Sequence, residues 1–195
     1  GNNNIAIGNA AQNGGETTGD NNISIGTVAG DALTSGKDNV LIGNQAGIDV
    51  NSGHSNVLIG LQAGHDLTTG FHNVVIGSFA LDECTDVDYA VCIGFGAGSS
   101  INSSDADSTV AIGNESLLAL TDGQRNVAVG YGALKTEDAG DNSTAVGYEA
   151  LKVQNNNTGA NTAVGMRAGL AVSSGYSNTL LGSGAGATLS TGYNN

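Results

Sequence analysis

The chain has 195 residues, of which 32 are glycine and none is proline or tryptophan, and aromatic residues make up only 4%. A formal net charge of −13 with five Lys and Arg excludes the basic surface that nucleic acid requires and disfavours anionic lipid. So few large aromatics point to thin layers of Ile, Val, Leu and Ala, and no apolar run in the sequence reaches the length of a membrane span.

The elements are short, and they repeat. Ile5-Ala6-Ile7 ends at Gly8 and Ile23-Ser24-Ile25 at Gly26. Val40-Leu41-Ile42, Val57-Leu58-Ile59 and Val74-Val75-Ile76 end at Gly43, Gly60 and Gly77. Val91-Cys92-Ile93 ends at Gly94, and the series runs on through Gly113, Gly130, Gly147, Gly165 and Gly182. Steps between these glycines are 17 residues seven times, 18 twice and 19 once. Such a period means one supersecondary unit stacked on itself. Each β-rich run bounded by glycine reads as a strand. A 17-residue repeat is too short for a strand, a long helix and two loops, so two short strands and two bends per coil are expected. The predicted fold is all-β, a parallel β-solenoid of about eleven 17-residue coils. Residues 1–195 form a single array, read as a segment of a longer fibre: Gly1 precedes Gly8 as Gly36 precedes Gly43, and Asn195 stands where a next repeat's Asn would begin.

Stacking turns each repeat position into a row with the inter-strand spacing of about 4.8 Å. The position before the glycine is aliphatic throughout, from Ile7 through Ile42, Ile59 and Ile76 to Leu181. A small residue recurs three places after it, as in Ala46, Ala63 and Ala80, which implies close approach of another backbone. Four places after it stands Gly or Leu. Where it is Gly, as at Gly47 and Gly64, an aliphatic follows three residues later (Val50, Leu67); where it is Leu134 or Leu151, Glu137 or Gln154 follows. Each coil thus offers a large aliphatic from one of two sites, as constant core volume requires; the first coil, with Gln12 and Gly15, does not fit. The Ser/Thr-Gly stretch, as in Thr68-Thr69-Gly70, reads as a turn in which glycine supplies a positive φ. The Asn row (Asn22, Asn39, Asn56, Asn73 and others) reads as a ladder satisfying turn backbone.

Side chains alternate along a strand, so Val57 and Ile59 share one face and Leu58 takes the other. Both rows are apolar. One lines the interior; the other needs a cover, most simply another copy of the chain, and Leu41 and Leu58 are expected to be shielded by sister chains. Cys92 occupies a strand position and reads as a small buried apolar residue, with a local Cys84–Cys92 bridge as the alternative.

Ser143-Thr144-Ala145-Val146-Gly147-Tyr148-Glu149-Ala150-Leu151 resembles repeats of bacteriophage tail-fibre proteins. Val110-Ala111-Ile112-Gly113 is similar to the head repeats of trimeric autotransporter adhesins. The resemblance spans essentially the whole chain and implies a left-handed β-roll, a homotrimer and a fibrous adhesive role. Adhesin heads repeat at a shorter spacing, which favours the phage-type fibre.

No catalytic motif declares itself. His54, His65 and His72 sit at different phases of the repeat and read as solvated. The acidic groups Asp82, Glu83, Asp86 and Asp88, and Asp105 with Asp107, fall in irregular repeats and read as loops. Calcium, nucleophile-elbow, phosphate-loop and dinucleotide patterns do not match. No metal or cofactor is expected. Recognition is expected on the variable rows, at Phe71, Tyr131, Tyr148, Tyr176 and Tyr193, where aromatics stack on sugars or pack against protein, or else cover neighbouring coils. The expected function is a structural or adhesive fibre segment outside the cell or on a virion: a phage tail-fibre shaft or receptor-binding region, alternatively a bacterial trimeric adhesin head. The expected partners are further copies of the chain and a surface glycan or protein receptor, without nucleic acid or membrane insertion. An ice-binding solenoid, suggested by Thr34-Ser35, Thr68-Thr69, Ser173-Ser174 and Ser190-Thr191, ranks lower because Asp86, Asp122 and Ala139 interrupt the row.

Overall fold

The computed structural model describes residues 1–195 apart from the side chain of Asp105, so that member of the second acidic group lies outside the described residues. Eleven three-residue strands form one sheet: β1 (Ile5–Ile7), β2 (Ile23–Ile25), β3 (Val40–Ile42), β4 (Val57–Ile59), β5 (Val74–Ile76), β6 (Val91–Ile93), β7 (Val110–Ile112), β8 (Val127–Val129), β9 (Thr144–Val146), β10 (Thr162–Val164) and β11 (Thr179–Leu181). The sheet order follows the chain order, and every pairing is parallel and in register, as in Val40↔Val57, Leu41↔Leu58 and Ile42↔Ile59. This is a β-solenoid. The longest step, between Gly94 and Gly113, carries a 3-10 turn over Ser104–Ala106.

One strand per coil forms, not two. The remaining residues also hydrogen-bond to neighbouring coils, as Gln62 N donates to Asn44 O at 3.0 Å and Asp66 N to Asp82 O at 3.1 Å. They turn too sharply to be extended, because three positions per coil hold left-handed backbone. In the fourth coil these are Gln62 (φ 54), Gly64 (φ 58) and His72 (φ 59). The turn glycine itself is not left-handed, contrary to expectation. Gly53 and Gly70 are required by close approach: a Cβ at Gly70 would lie 2.3 Å from Val87 O. Positive φ falls two residues later, on Ser55 and His72.

The motif glycine has both constraints. Gly43 has φ 142, and a Cβ there would sit 2.1 Å from Gly60 O in the next coil. No residue with a side chain satisfies either condition.

The interior row is the middle of each strand. Leu41, Leu58, Val75, Cys92, Ala111, Ala128, Ala145 and Ala163 are all fully buried within one chain. This corrects the expectation for Leu41 and Leu58: the chain's own coil covers them, and the outward face is the Val/Ile pair flanking them. Volume is balanced chiefly between this row and the fourth position after the glycine. Where the strand carries Leu, glycine leaves it room, since a Cβ at Gly64 would meet Leu58 Cδ1 at 2.9 Å. Where the strand carries Ala111, Ala128 or Ala145, the same coil supplies buried Leu117, Leu134 or Leu151. The two-site rule read from the sequence fails at Leu117 and Leu120, which are buried together opposite the small Ala111.

The Asn row is a ladder. Asn56 Nδ2 donates to Gly70 O at 2.8 Å, and Asn56 Oδ1 accepts from Asn73 N at 3.0 Å and Asn73 Nδ2 at 3.1 Å. Each side chain closes its own turn and holds the next coil. Ala90, Thr109 and Ser143 interrupt the row, and Thr109 Oγ1 is buried without a partner. Downstream, Gln154 Nε2 donates to buried Glu137 Oε2 at 2.6 Å and to Ser143 Oγ at 2.8 Å.

Candidate functional site

Two surfaces compete for a functional role: the outward face of the sheet, and the rows of exposed aromatics. In-register pairing stacks Val40, Val57, Val74 and Val91 in one column and Ile42, Ile59, Ile76 and Ile93 in another. Their side chains are half-buried, and Ile76 is 37% exposed, in the single chain. The columns continue to β11, with Thr144, Thr162 and Thr179 replacing valine at the far end. Neither column holds a charge, on a molecule of net charge −13. Just past the motif glycine, Leu61, Phe95, Tyr131, Tyr148 and Met166 are exposed beside it.

The five aromatics singled out from the sequence fall into three groups. Phe71 stacks on His54 at 5.0 Å between ring centroids and meets His72 and Tyr89 edge-on, each at 5.4 Å. Tyr131 and Tyr148 stack at 5.3 Å, with interplanar angle 13°. Tyr176 and Tyr193 stack at 5.4 Å and 9°. In each stacked pair the partners come from successive coils, so one ring covers the other. Ring faces therefore point along the stacking direction. Arg167 takes Tyr148 as well, its guanidinium carbon 5.6 Å from the ring centroid.

Charges beside these rings are paired, Glu149 with Lys152 in its own coil and with Arg167 in the next. Glu149 holds Lys152 Nζ at 2.6 Å and Arg167 Nε at 2.9 Å. The Lys152 hydrogen bond, then that of Arg167, keeps the Glu149 carboxyl below its usual range. Lys135 Nζ reaches Glu115 at 2.6 Å. In the acidic groups, Asp88 accepts from Phe71 N at 2.9 Å, and Asp107 accepts from Asp88 N at 2.8 Å. Burial raises the Asp88 and Asp82 carboxyls; for Asp82 the charge of His65 opposes this, while Asp66 and Glu83 add to it.

Cys84 and Cys92 are free and buried. Burial pushes the thiols up to about 11 and about 12. The Ser/Thr row is turned to stacking: Thr34, Thr68, Thr121 and Ser173 hydroxyls donate to carbonyls one coil away, at 2.7 Å for Thr68 to Thr85 O. The histidines divide. His54 and His72 belong to the aromatic cluster, whereas His65 Nδ1 lies 2.5 Å from Asp66 Oδ1 with Asp49 alongside. That grouping was not legible from the sequence until the coil register placed Asp49 and Asp66 at the same repeat position. Among the described residues no pocket opens, and no helix is long and apolar enough to cross a membrane. In comparisons with protein-family models, curated proteins and solved structures, no match to this chain was found.

Proposed function

We propose that the chain is a structural and adhesive fibre segment, a left-handed solenoid that associates with two further copies through its outward sheet face. The observation that carries this reading is the uncharged outward face running the length of the sheet, Val and Ile through β8 and Thr with Val or Leu beyond it. Ten inter-strand steps of about 4.8 Å and three residues of about 3.3 Å give it roughly 500 Å². The flanking column of Leu61, Phe95, Tyr131, Tyr148 and Met166 extends it to roughly 650 Å², most of the about 800 Å² that each partner contributes to a standard interface. The chain's net charge of −13 lies off this stripe, so copies repel one another except along it.

The resemblance of the repeat to phage tail fibres supports a virion role as shaft or receptor-binding region. A bacterial trimeric adhesin is the alternative with the same build, and a coiled-coil stalk and membrane anchor in flanking sequence would mark it. In either case repeated weak contacts to a surface glycan or protein add by effective concentration. Small-angle scattering tests the build: a rod about 50 Å long, with a cross-section holding more than one chain, is expected. A compact single chain would reject it.

A further inference from the structure

We propose that Asp49, His65 and Asp66 form a binding site for one divalent first-row transition-metal ion of the zinc class. One ligand atom from each, an imidazole nitrogen and two carboxylate oxygens, lies within 4.8 Å of the other two. The backbone sets this arrangement. Asp49 N donates to His65 O at 3.2 Å and Asp66 N to Asp82 O at 3.1 Å, which locks three successive coils in register. Asp49 and Asp66 thus occupy the same position of consecutive coils, and like charges stacked this way repel. His65 alone offers positive charge among them. A divalent ion would neutralise both carboxylates.

A second observation points the same way. On the next coil, Asp82 Oδ1 is buried from solvent with no hydrogen-bond partner. The half-exposed Asp82 carboxyl feels the charges of His65 and Asp66, so a cation held by Asp66 would offset negative charge that no donor meets at Oδ1. Imidazole in the donor set favours zinc, copper or nickel over calcium and magnesium, which take oxygen alone. Asp49 is exposed and the other two are half-buried, so an ion enters from solvent and keeps water on its open positions. Entry replaces the contact between His65 Nδ1 and Asp66 Oδ1, which now sit at 2.5 Å, and any proton held on Nδ1 leaves to water. The two donors separate to about 3.3 Å, as tetrahedral bonds of about 2.0 Å require.

The test is calorimetric titration of the 195-residue chain with zinc chloride, together with Cu²⁺ electron paramagnetic resonance. Saturable binding of one ion per chain, and a copper spectrum with coupling to one nitrogen, are expected. His65→Ala should weaken binding by at least about tenfold, as loss of a ligand does, and Asp49→Asn should weaken it too. His54→Ala and His72→Ala should leave it unchanged. Circular dichroism in the presence of chelator checks that His65→Ala is folded; if it is not, the Asp49→Asn titration decides. No saturable binding, wild-type affinity in His65→Ala or in a folded Asp49→Asn, or loss of the ion in His54→Ala or His72→Ala would overturn the site.

Discussion

Gly60 shows how little freedom a single residue has in this array. Its φ of +141 lies outside the range of side-chain-bearing residues, and a Cβ would stand 2.5 Å from Gly77 O. Gly60→Ala should therefore cost about 3 kcal/mol or more, combining backbone strain with displacement of the next coil. Urea denaturation checks this; a loss below about 1 kcal/mol, within the ordinary range of surface substitutions, would contradict it. Glu149 supplies a test by pH. Its folded carboxyl is held low by Lys152 and Arg167, so the unfolded chain binds the proton first. Its contribution is present above the ordinary glutamate value and disappears as pH falls through the lowered folded value. Glu149→Gln should narrow the stability gap to wild type across that acidic window. Parallel stability curves for the two proteins would refute the assignment.

At the scale of the coil, the trade between strand and fourth position can be tested directly. Leu58→Ala should cost about 3–5 kcal/mol through the cavity it leaves. Adding Gly64→Leu should recover part of this, because Ala128 with Leu134 and Ala145 with Leu151 already use that pairing. The left-handed backbone at Gly64 (φ 58) is one that Leu134 (φ 51) adopts. A double variant no more stable than Leu58→Ala would show that the two sites do not share volume. The coil register, the Asn ladder and the buried Cys92 were legible in the sequence, because repetition places each residue type at one height and one phase. The single strand per coil was not legible. Left-handed conformation at residues such as Gln62 and His72 is imposed by coil-to-coil hydrogen bonds, not by residue type. Nor did the sequence tell which apolar row faces inward, since Val57, Leu58 and Ile59 are alike in hydrophobicity. The five aromatics expected to serve recognition are exposed or half-buried, but their separation into stacked groups depends on which coils are neighbours.

For the molecule as a whole, the unbroken parallel sheet makes length a matter of coil number, with stability accumulating between nearest neighbours. Stiffness along the axis comes from ladders that each coil extends. The proposed lateral association would rest on the outward columns flanking the strand centres, which the chain leaves half-covered. Ile59→Lys with Ile76→Lys should place like charges at the centre of that face, separating the copies while the inward Leu58 and Val75, both fully buried, keep the coil intact. Sedimentation equilibrium of the wild-type chain beside this double variant is the decisive measurement. The predicted result is a wild-type mass near three times the 19.2 kDa chain, and a folded variant at the mass of one chain. A wild-type protein that sediments as a single 19.2 kDa chain at all concentrations would contradict the account.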